Sequence, residues 1–494
     1  MCKILNTDQY KFAMAEAGWP LREETFYYSH RMGGPHLLPV DVKEYIKDLF
    51  NGFNCDNPTE RAFRRQNLTN ASGLHTGAWF EYFHKLENPF EKLKINTIPK
   101  GHWFNDRDPV FTVTGPSFLV SWLEPLILQL HYRIQIATLA VNGTLQPDHI
   151  NIVTCERQKK IVQETLDTVR KLGYTIPEIK IHSNSDAYII NVESRVKQLI
   201  HAVNGNASRL FEVGLRASTC QEQHNLTLTA CKRAGLLGTS DSLGACQNNM
   251  RAVGTMGHEH VQRFGSDEAA YNAMADRIPG PIFCLLDTYD TICSGIPSAF
   301  KLIQHQPDRN HVIRFDSGDI EKQLLYAIKA ANDLQINPRY CLEDSWNLEK
   351  TKHFEKLRRT NNIKENQFLY GYGGYIVNCG WTPLTRDRVA AVWKLSQTGN
   401  TPTMKFGSTP GSGKESIPGK PVLLKVYKGL ESSVMHQTII AQEDEDIREY
   451  ERYYENMYKT TAAPNYKPQL ASEYSKKTII LKHSLYNSKQ KVNK

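Results

Sequence analysis

An α/β barrel is the fold this sequence predicts, and three features of its middle stretch predict it. Strand candidates recur near residues 210–215, 234–237, 251–254, 281–286, 311–315, 339–342 and 367–370. Amphipathic helical patterns fill several of the gaps, as in Leu324-Leu325-Ile328-Ala331-Leu334, whose spacing lines one helical face. Gly, Ser, Thr and Asp gather at the C-terminal ends of most of these strands, where a parallel sheet offers loops for chemistry. Such βα units build either an open doubly wound sheet or a barrel. Polar residues at so many consecutive strand ends favour the barrel, whose active site is made from those loops.

The elements follow in order. Asp8-Gln9-Tyr10-Lys11-Phe12-Ala13-Met14-Ala15 is expected to open a helix, with Asp8 or Thr7 as its cap. Phe26-Tyr27-Tyr28-Ser29-His30-Arg31 reads as a strand running into the turn Met32-Gly33-Gly34-Pro35. Residues 42–50 have helical spacing, whereas 54–80 are polar and irregular, as in an insertion or long loop. Residues 108–120 read as two strands broken at Gly115-Pro116, and 123–139 as one buried helix rich in Leu and Ile. Between 141 and 185 a charged helix (156–172) precedes a strand (178–182), and neither carries chemistry. After 385 the rhythm stops. Strands are expected near 389–395 and 421–426, a Gly/Pro/Ser loop at 407–419 and an acidic helix from about 441 to 458. The chain thus divides into an N-terminal α+β segment (1–140), the barrel (141–385) and a C-terminal segment (386–494) with a basic tail from about 474.

At 494 residues the chain exceeds one ordinary core, so two or three domains are expected. With 40% apolar and 23% charged residues, and no apolar run long enough to span a bilayer, the composition is that of a soluble globular protein. Residues 1–8 hold no apolar stretch of the kind a secretory signal needs, and the ten cysteines include no Cys-x-x-Cys pair. Both features argue for a reducing cytoplasm and against a disulfide framework or structural zinc. The net charge of +8 could serve nucleic acid or small polyanions. Much of it lies at Lys476, Lys477, Lys482, Lys489, Lys491 and Lys494, where no acid follows Glu473 and only Tyr474 and Tyr486 supply rings. A nucleic-acid groove interleaves aromatic residues with its cations, so this tail reads as a solvated basic segment and no nucleic-acid partner is expected.

Chemistry concentrates between Leu236 and Asp319. Gly238-Thr239-Ser240-Asp241, Gly254-Thr255-Met256-Gly257-His258-Glu259, Asp287-Thr288-Tyr289-Asp290 and Arg314-Phe315-Asp316-Ser317-Gly318-Asp319 follow one another. One such loop is ordinarily a turn or helix cap, but four in a row with a histidine and several carboxylates read as one face of an active site. His258 alone would be a capping or buried histidine. Asp287, Asp290, Asp316 and Asp319 could orient and charge-stabilise its imidazole, or hold hydrated magnesium beside a phosphate. Arg216 and Arg314 stand at strand ends, where a guanidinium fork aimed into the barrel mouth suits a carboxylate or phosphate. Tyr370-Gly371-Tyr372-Gly373-Gly374-Tyr375 follows a strand, and its glycines let backbone N–H groups approach a phosphate. Gly411-Ser412-Gly413-Lys414 is no P-loop, because Ser408 replaces the first glycine and Glu415 the required Ser or Thr.

Taken together, Thr7-Asp8-Gln9-Tyr10-Lys11, Gly214-Leu215-Arg216, Gly238-Thr239-Ser240 and the three loops that follow stand in the order found in nicotinate phosphoribosyltransferases. Lys414-Glu415-Ser416-Ile417-Pro418-Gly419-Lys420 resembles that family's late K-x-[ST]-x-P-G segment, so the resemblance spans roughly residues 5–425. The nicotinamide phosphoribosyltransferases share this framework, and Leu384-Thr385-Arg386-Asp387 resembles theirs.

This resemblance implies an irregular TIM-like α/β barrel with a second α+β domain formed by the N- and C-terminal segments, in a homodimer with shared active sites. It implies transfer of phosphoribosyl from phosphoribosyl pyrophosphate to nicotinate, giving nicotinate mononucleotide and pyrophosphate, with magnesium and coupled ATP hydrolysis. By the same resemblance His258 is phosphorylated by ATP and Asp287 is its carboxylate partner. Arg216 grips the pyridine carboxylate, and Tyr10 of a neighbouring subunit stacks on the ring. Arg314 and Asp316 serve the ribose and pyrophosphate, while Arg31, Gly373, Gly374, Arg386 and Lys414 bind phosphates. The nicotinamide enzymes place a carboxylate after Gly-Thr to accept from the amide. Ser240 stands there in this chain and would not repel nicotinate, although Asp241 is one residue away. A nicotinamide phosphoribosyltransferase is therefore the alternative, with a non-catalytic nucleotide-binding relative as a third reading. In Leu342-Glu343-Asp344-Ser345, Asp344 would keep the ribose contact, while Glu343 adds charge where relatives carry small residues.

Overall fold

In the computed structural model, seven strands of the middle segment form one parallel sheet. The structure describes residues 3–54, 58, 78–254, 256–407, 415–428, 435–446, 454–459, 467–468 and 470–492. In chain order the strands are Leu210–Glu212, Gly238–Thr239, Arg251–Ala252, Phe283–Leu285, Val312–Phe315, Arg339–Leu342 and Phe368–Tyr372. Their order across the sheet is third, second, first, seventh, sixth, fifth, fourth. That is a barrel's circular order, in which the last strand returns to pair with the first. Among the described residues no ladder joins the third strand to the fourth, so the sheet curls as a part-barrel with one open seam. The second strand, expected near 234–237, begins at Gly238, where a β-carbon would lie 3.1 Å from that of Phe211 on the first strand.

Side chains alternate across these strands and thereby build the site. Val312, Cys341 and Leu369 point into a small inner core with Phe211. Ile313, Tyr340, Leu342, Phe368 and Tyr370 point outward into the larger core beneath the helices. One period-two step beyond the inner layer are Val213, Arg314, Glu343 and Gly371, all of which line cavities at the sheet's C-terminal end.

An antiparallel sheet stands over that end. Its order is Thr401–Pro402, Val392–Thr398, Glu23–Ser29, Phe111–Pro116, Lys94–Thr97, so strands from both ends of the sequence pair directly. Gln9–Ala17 is the expected first helix and Val42–Phe50 the second. A further four-stranded sheet contains Pro421–Lys428 and Met435–Gln442.

Several expectations are corrected. The strand expected after Gly115-Pro116 is the helix Ser117–Trp122, all six residues of which are buried; a uniformly apolar run looks alike in either state. The single helix expected next is two, Glu124–Leu128 and Leu130–Val141. Only His182–Ser183 remains of the strand expected at 178–182, pairing with Ile152–Val153, while the charged helix stands as Glu156–Lys171. The acidic helix expected at 441–458 is replaced at its ends by the strands Met435–Gln442 and Tyr454–Asn456, with 447–453 outside the described residues. Most of the irregular stretch at 54–80 is also outside them. The basic tail is a helix, Lys476–Val492, and it is not wholly solvated: Thr478 is buried, and Lys477 pairs with Asp444 at 2.7 Å.

Candidate active site

Two adjoining hollows open between the part-barrel and the antiparallel sheet, sharing Val213, Arg216, His258, Asp316, Glu343 and Lys394. The first is aromatic on several sides, with Tyr10, Phe26, Phe211, Phe283 and Trp393, and also holds Asp8, Ser240 and Arg314. The second is lined by Arg31, Asp344, Gly373, Gly374, Arg386 and Lys405. Nine predicted site residues thus line this double cavity together with His258 and Asp316. Asp287 stands immediately behind His258, and Lys414 lies outside the described residues.

His258 begins a helix, His258–Phe264, and is held at both ring nitrogens. Its Nδ1 lies 3.0 Å from Thr288 Oγ1, and Lys405 Nζ lies 2.7 Å from its Nε2. An ammonium can only donate, so Nε2 keeps a lone pair and Nδ1–H donates to Thr288. Burial and the neighbouring Lys405 hold the imidazole neutral, down to about 4, against the opposing pull of Asp287. Lys405 also donates to Asp287 Oδ2 at 2.9 Å, and Ser317 donates to the same carboxylate. Burial would raise the Asp287 carboxyl, but Lys405 and His258 outweigh it and leave it near about 2. Asp287 Oδ1 and Asp316 Oδ2 lie 3.7 Å and 3.8 Å from His258 Nε2.

At the aromatic end, the Ser240 hydroxyl donates to Asp8 at 2.6 Å and the Tyr10 hydroxyl donates to the same carboxylate at 3.0 Å. Asp8 is placed as cap of helix Gln9–Ala17, yet its side chain serves this network instead of the helix. Tyr10 lines this chain's own cavity, where the resemblance implied a residue from a neighbouring subunit. The physical cause is local: Gln9 N–H donates to the Ser240 carbonyl at 2.6 Å, pinning the helix start to the barrel loop. Gly254, at φ +119°, faces Tyr10, whose Cδ1 would stand 3.4 Å from a β-carbon there. Asp241 turns away from the cavity, pairing with His224 at 2.9 Å. Arg216 Nη1 lies 3.8 Å from Glu124, and Arg314 lies between Asp316 at 3.8 Å and Glu343 at 3.9 Å. Burial raises the Glu343 carboxyl, Arg314 opposing.

The second hollow is crowded with cations. Burial, Arg31 and Lys405 together bring the Lys394 amine down to about 7. Burial, with Arg386 and Arg107 nearby, likewise lowers Arg31, Tyr27 opposing. Like charges held this close favour a bound polyanion.

Sequence reasoning missed Lys394, Lys405 and Asp8 as members of the site. Lys394 lies within the strand Val392–Thr398 and Lys405 just beyond Thr401–Pro402, where no βα rhythm marks a functional loop. Conversely, Asp290 and Asp319 are caps: Asp290 accepts from Ile292 and Cys293 N–H, and Asp319 from Lys322 N–H.

No protein-family model matches the chain. It is 40% identical over 91 residues to nicotinate phosphoribosyltransferase pncB2 of Mycobacterium tuberculosis, a match spanning 18% of this chain and 19% of that one. Longer matches reach the nicotinate phosphoribosyltransferases of Dictyostelium discoideum, 26% identical over 86% of this chain and 68% of that one, and of Homo sapiens, 23% identical over 89% and 80%. The fold resembles crystal structures of nicotinate phosphoribosyltransferases from Porphyromonas gingivalis (TM-score 0.58, 18% identity, 84% of this chain and 96% of that one) and Vibrio cholerae (0.56, 16%, 83% and 89%). In sequence over most of its length, and in fold, the chain is a relative of the nicotinate phosphoribosyltransferases.

Proposed function

We propose that this chain transfers the phosphoribosyl group of phosphoribosyl pyrophosphate to nicotinate, with coupled ATP hydrolysis, as a cytoplasmic enzyme of NAD salvage. The fold in this reading is a TIM-like barrel with a second domain from the two ends of the chain, working as a homodimer. The observation that carries the reading is the double cavity itself. An aromatic slot with Arg216, Arg314 and Ser240 adjoins a cation-lined hollow, and His258 lies where they meet.

In the reaction the bond from ribose C1′ to pyrophosphate oxygen breaks, and the pyridine nitrogen bonds to C1′. Positive charge builds on the ribose while anionic charge leaves, so holding both partners in place supplies most of the rate. Tyr10 stacks on the pyridine ring, and Arg216 pairs with its carboxylate. Arg314, Asp316 and Asp344 hold the ribose end. Arg31, Lys394, Arg386 and the Gly373-Gly374 backbone take the phosphates, joined by Lys414. His258 presents its Nε2 lone pair once Lys405 moves to a phosphate oxygen, which gives ATP a nucleophile to phosphorylate.

Magnesium suits hard carboxylate oxygens beside phosphates. Asp287 and Asp316 offer them: with His258 their ligand atoms lie within 4.8 Å of one another, and Asp287 Oδ1 is buried without a hydrogen-bond partner. The ion, when bound, would neutralise and orient phosphate charge. Nicotinate is favoured over nicotinamide because Ser240 faces the base while Asp241 is engaged by His224. The deciding assay is mononucleotide formation from phosphoribosyl pyrophosphate and magnesium, on nicotinate and on nicotinamide, each with and without ATP. ATP-stimulated product from nicotinate is expected. Product from the amide alone, or from neither base, would overturn the reading.

A further inference from the structure

Glu212, His224 and Asp241 form a charged chain beside the cavity that the reaction as described does not use. All three side chains are fully buried. His224 Nε2 lies 3.1 Å from Glu212 Oε1, and its Nδ1 lies 2.9 Å from Asp241 Oδ2. A neutral imidazole has one N–H and one lone pair, so a carboxylate at each nitrogen calls for an imidazolium that donates to both. Burial opposes that charge, but Glu212 and Asp241 outweigh it and lift His224 to about 10.

Each acid is anchored to a loop of the aromatic slot. The Glu212 carboxylate accepts from Gly214 N–H and from the Thr239 hydroxyl, the latter at 2.7 Å. Gly214 opens the turn that carries Arg216, and Thr239 immediately precedes Ser240. Asp241 follows Ser240, and its own N–H donates to Thr239 Oγ1 at 3.2 Å. Neither the two acids nor His224 lines the cavity.

We propose that His224 is a positioning residue: by donating to Glu212 and Asp241 at once it fixes the separation of Arg216 and Ser240, and so the fit of the pyridine base. The identity of the base rests on the function proposed above; the clamp does not. Without the imidazolium, two carboxylates would be left buried and uncompensated next to each other, and the loops that hold them would move apart.

The test compares His224→Gln with the unaltered full-length protein by hydrogen–deuterium exchange and by steady-state kinetics. Exchange is expected to quicken at least ten-fold across residues 212–216 and 238–242. The KM for nicotinate should rise at least five-fold, with the KM for phosphoribosyl pyrophosphate within two-fold. If His224→Gln does not fold, Thr239→Val, which removes the hydroxyl that donates to Glu212 and accepts from Asp241 N–H, should give the same pattern at smaller size. Unchanged exchange overturns the clamp. Quickened exchange with both KM values moving together, or neither moving, reduces His224 to a stabilising role and overturns the positioning. An unaltered protein inactive on nicotinate sinks the functional reading instead, and exchange then decides the clamp alone.

Discussion

Lys405 donates to both His258 and Asp287, so one cation sets the charge of the histidine and its carboxylate neighbour. The sign of its effect can be tested. Lys405 and burial push the imidazole down, while Asp287 and the Asp316 hydrogen bond push it up. In Lys405→Met the repulsion disappears and both acids remain, so the His258 pKa should rise from about 4 toward the ordinary 6.5 or above. Titration of the His258 ring protons by NMR in magnesium-free buffer would reveal it; a pKa that stays put would mean burial alone holds the ring neutral. The same geometry predicts that His258→Asn abolishes ATP stimulation but leaves slow ATP-independent transfer. ATP stimulation that survives the substitution would remove His258 from the coupling step.

At the scale of elements, two types of aspartate that look alike in the sequence separate cleanly. Asp319 caps the helix Ile320–Asp333, whereas Asp316, three residues earlier, lines the cavity. Asp319→Ala should therefore cost about 1 kcal/mol of stability, the usual worth of a cap, with kcat close to that of the unaltered protein. A large fall in kcat at unchanged stability would make Asp319 part of the site. Arg216 follows the first barrel strand in a short 3-10 turn, Leu215–Ala217, and reaches the cavity from there. Arg216→Ala should raise the KM for nicotinate ten-fold or more, since a charge-assisted hydrogen bond contributes on the order of 1.5–3 kcal/mol, and should move the KM for phosphoribosyl pyrophosphate far less. Equal rises would mark Arg216 as structural.

The strand rhythm from 210 to 372 was legible because most of these strands are apolar inside and polar at their C-terminal ends, and that pattern also located Arg216, His258, Asp287, Arg314 and Asp316. Residues 117–122 were not, because an apolar run buried on all sides has no period to read. Lys405 was not legible either. Its role comes from where the antiparallel sheet rests on the barrel mouth, which no local pattern encodes.

For the whole molecule, the cavity depends on contacts between distant parts of the sequence. Arg31 comes from beyond the strand Glu23–Ser29, Lys394 from its partner Val392–Thr398, and Arg216 and Arg314 from the barrel. Pairing of the two strands brings Arg31 and Lys394 together, and that crowding helps bring the Lys394 amine down to about 7. At pH 8 the free amine is therefore mostly uncharged. A bound polyanion favours the ammonium form and raises this pKa toward the ordinary value of about 10.4, so binding should draw a proton from solvent. Calorimetric titration of pyrophosphate at pH 8, in buffers with different ionisation heats, measures that proton. Pyrophosphate itself tends to release protons on binding, so the informative quantity is the difference from Lys394→Arg, whose guanidinium stays charged throughout. Uptake in the unaltered protein should exceed that of the variant by roughly half a proton or more, in keeping with an amine titrating near neutrality. Equal proton counts would mean that Lys394 does not meet the anion, and the cation-lined hollow would have to bind it through Arg31 and Arg386 alone.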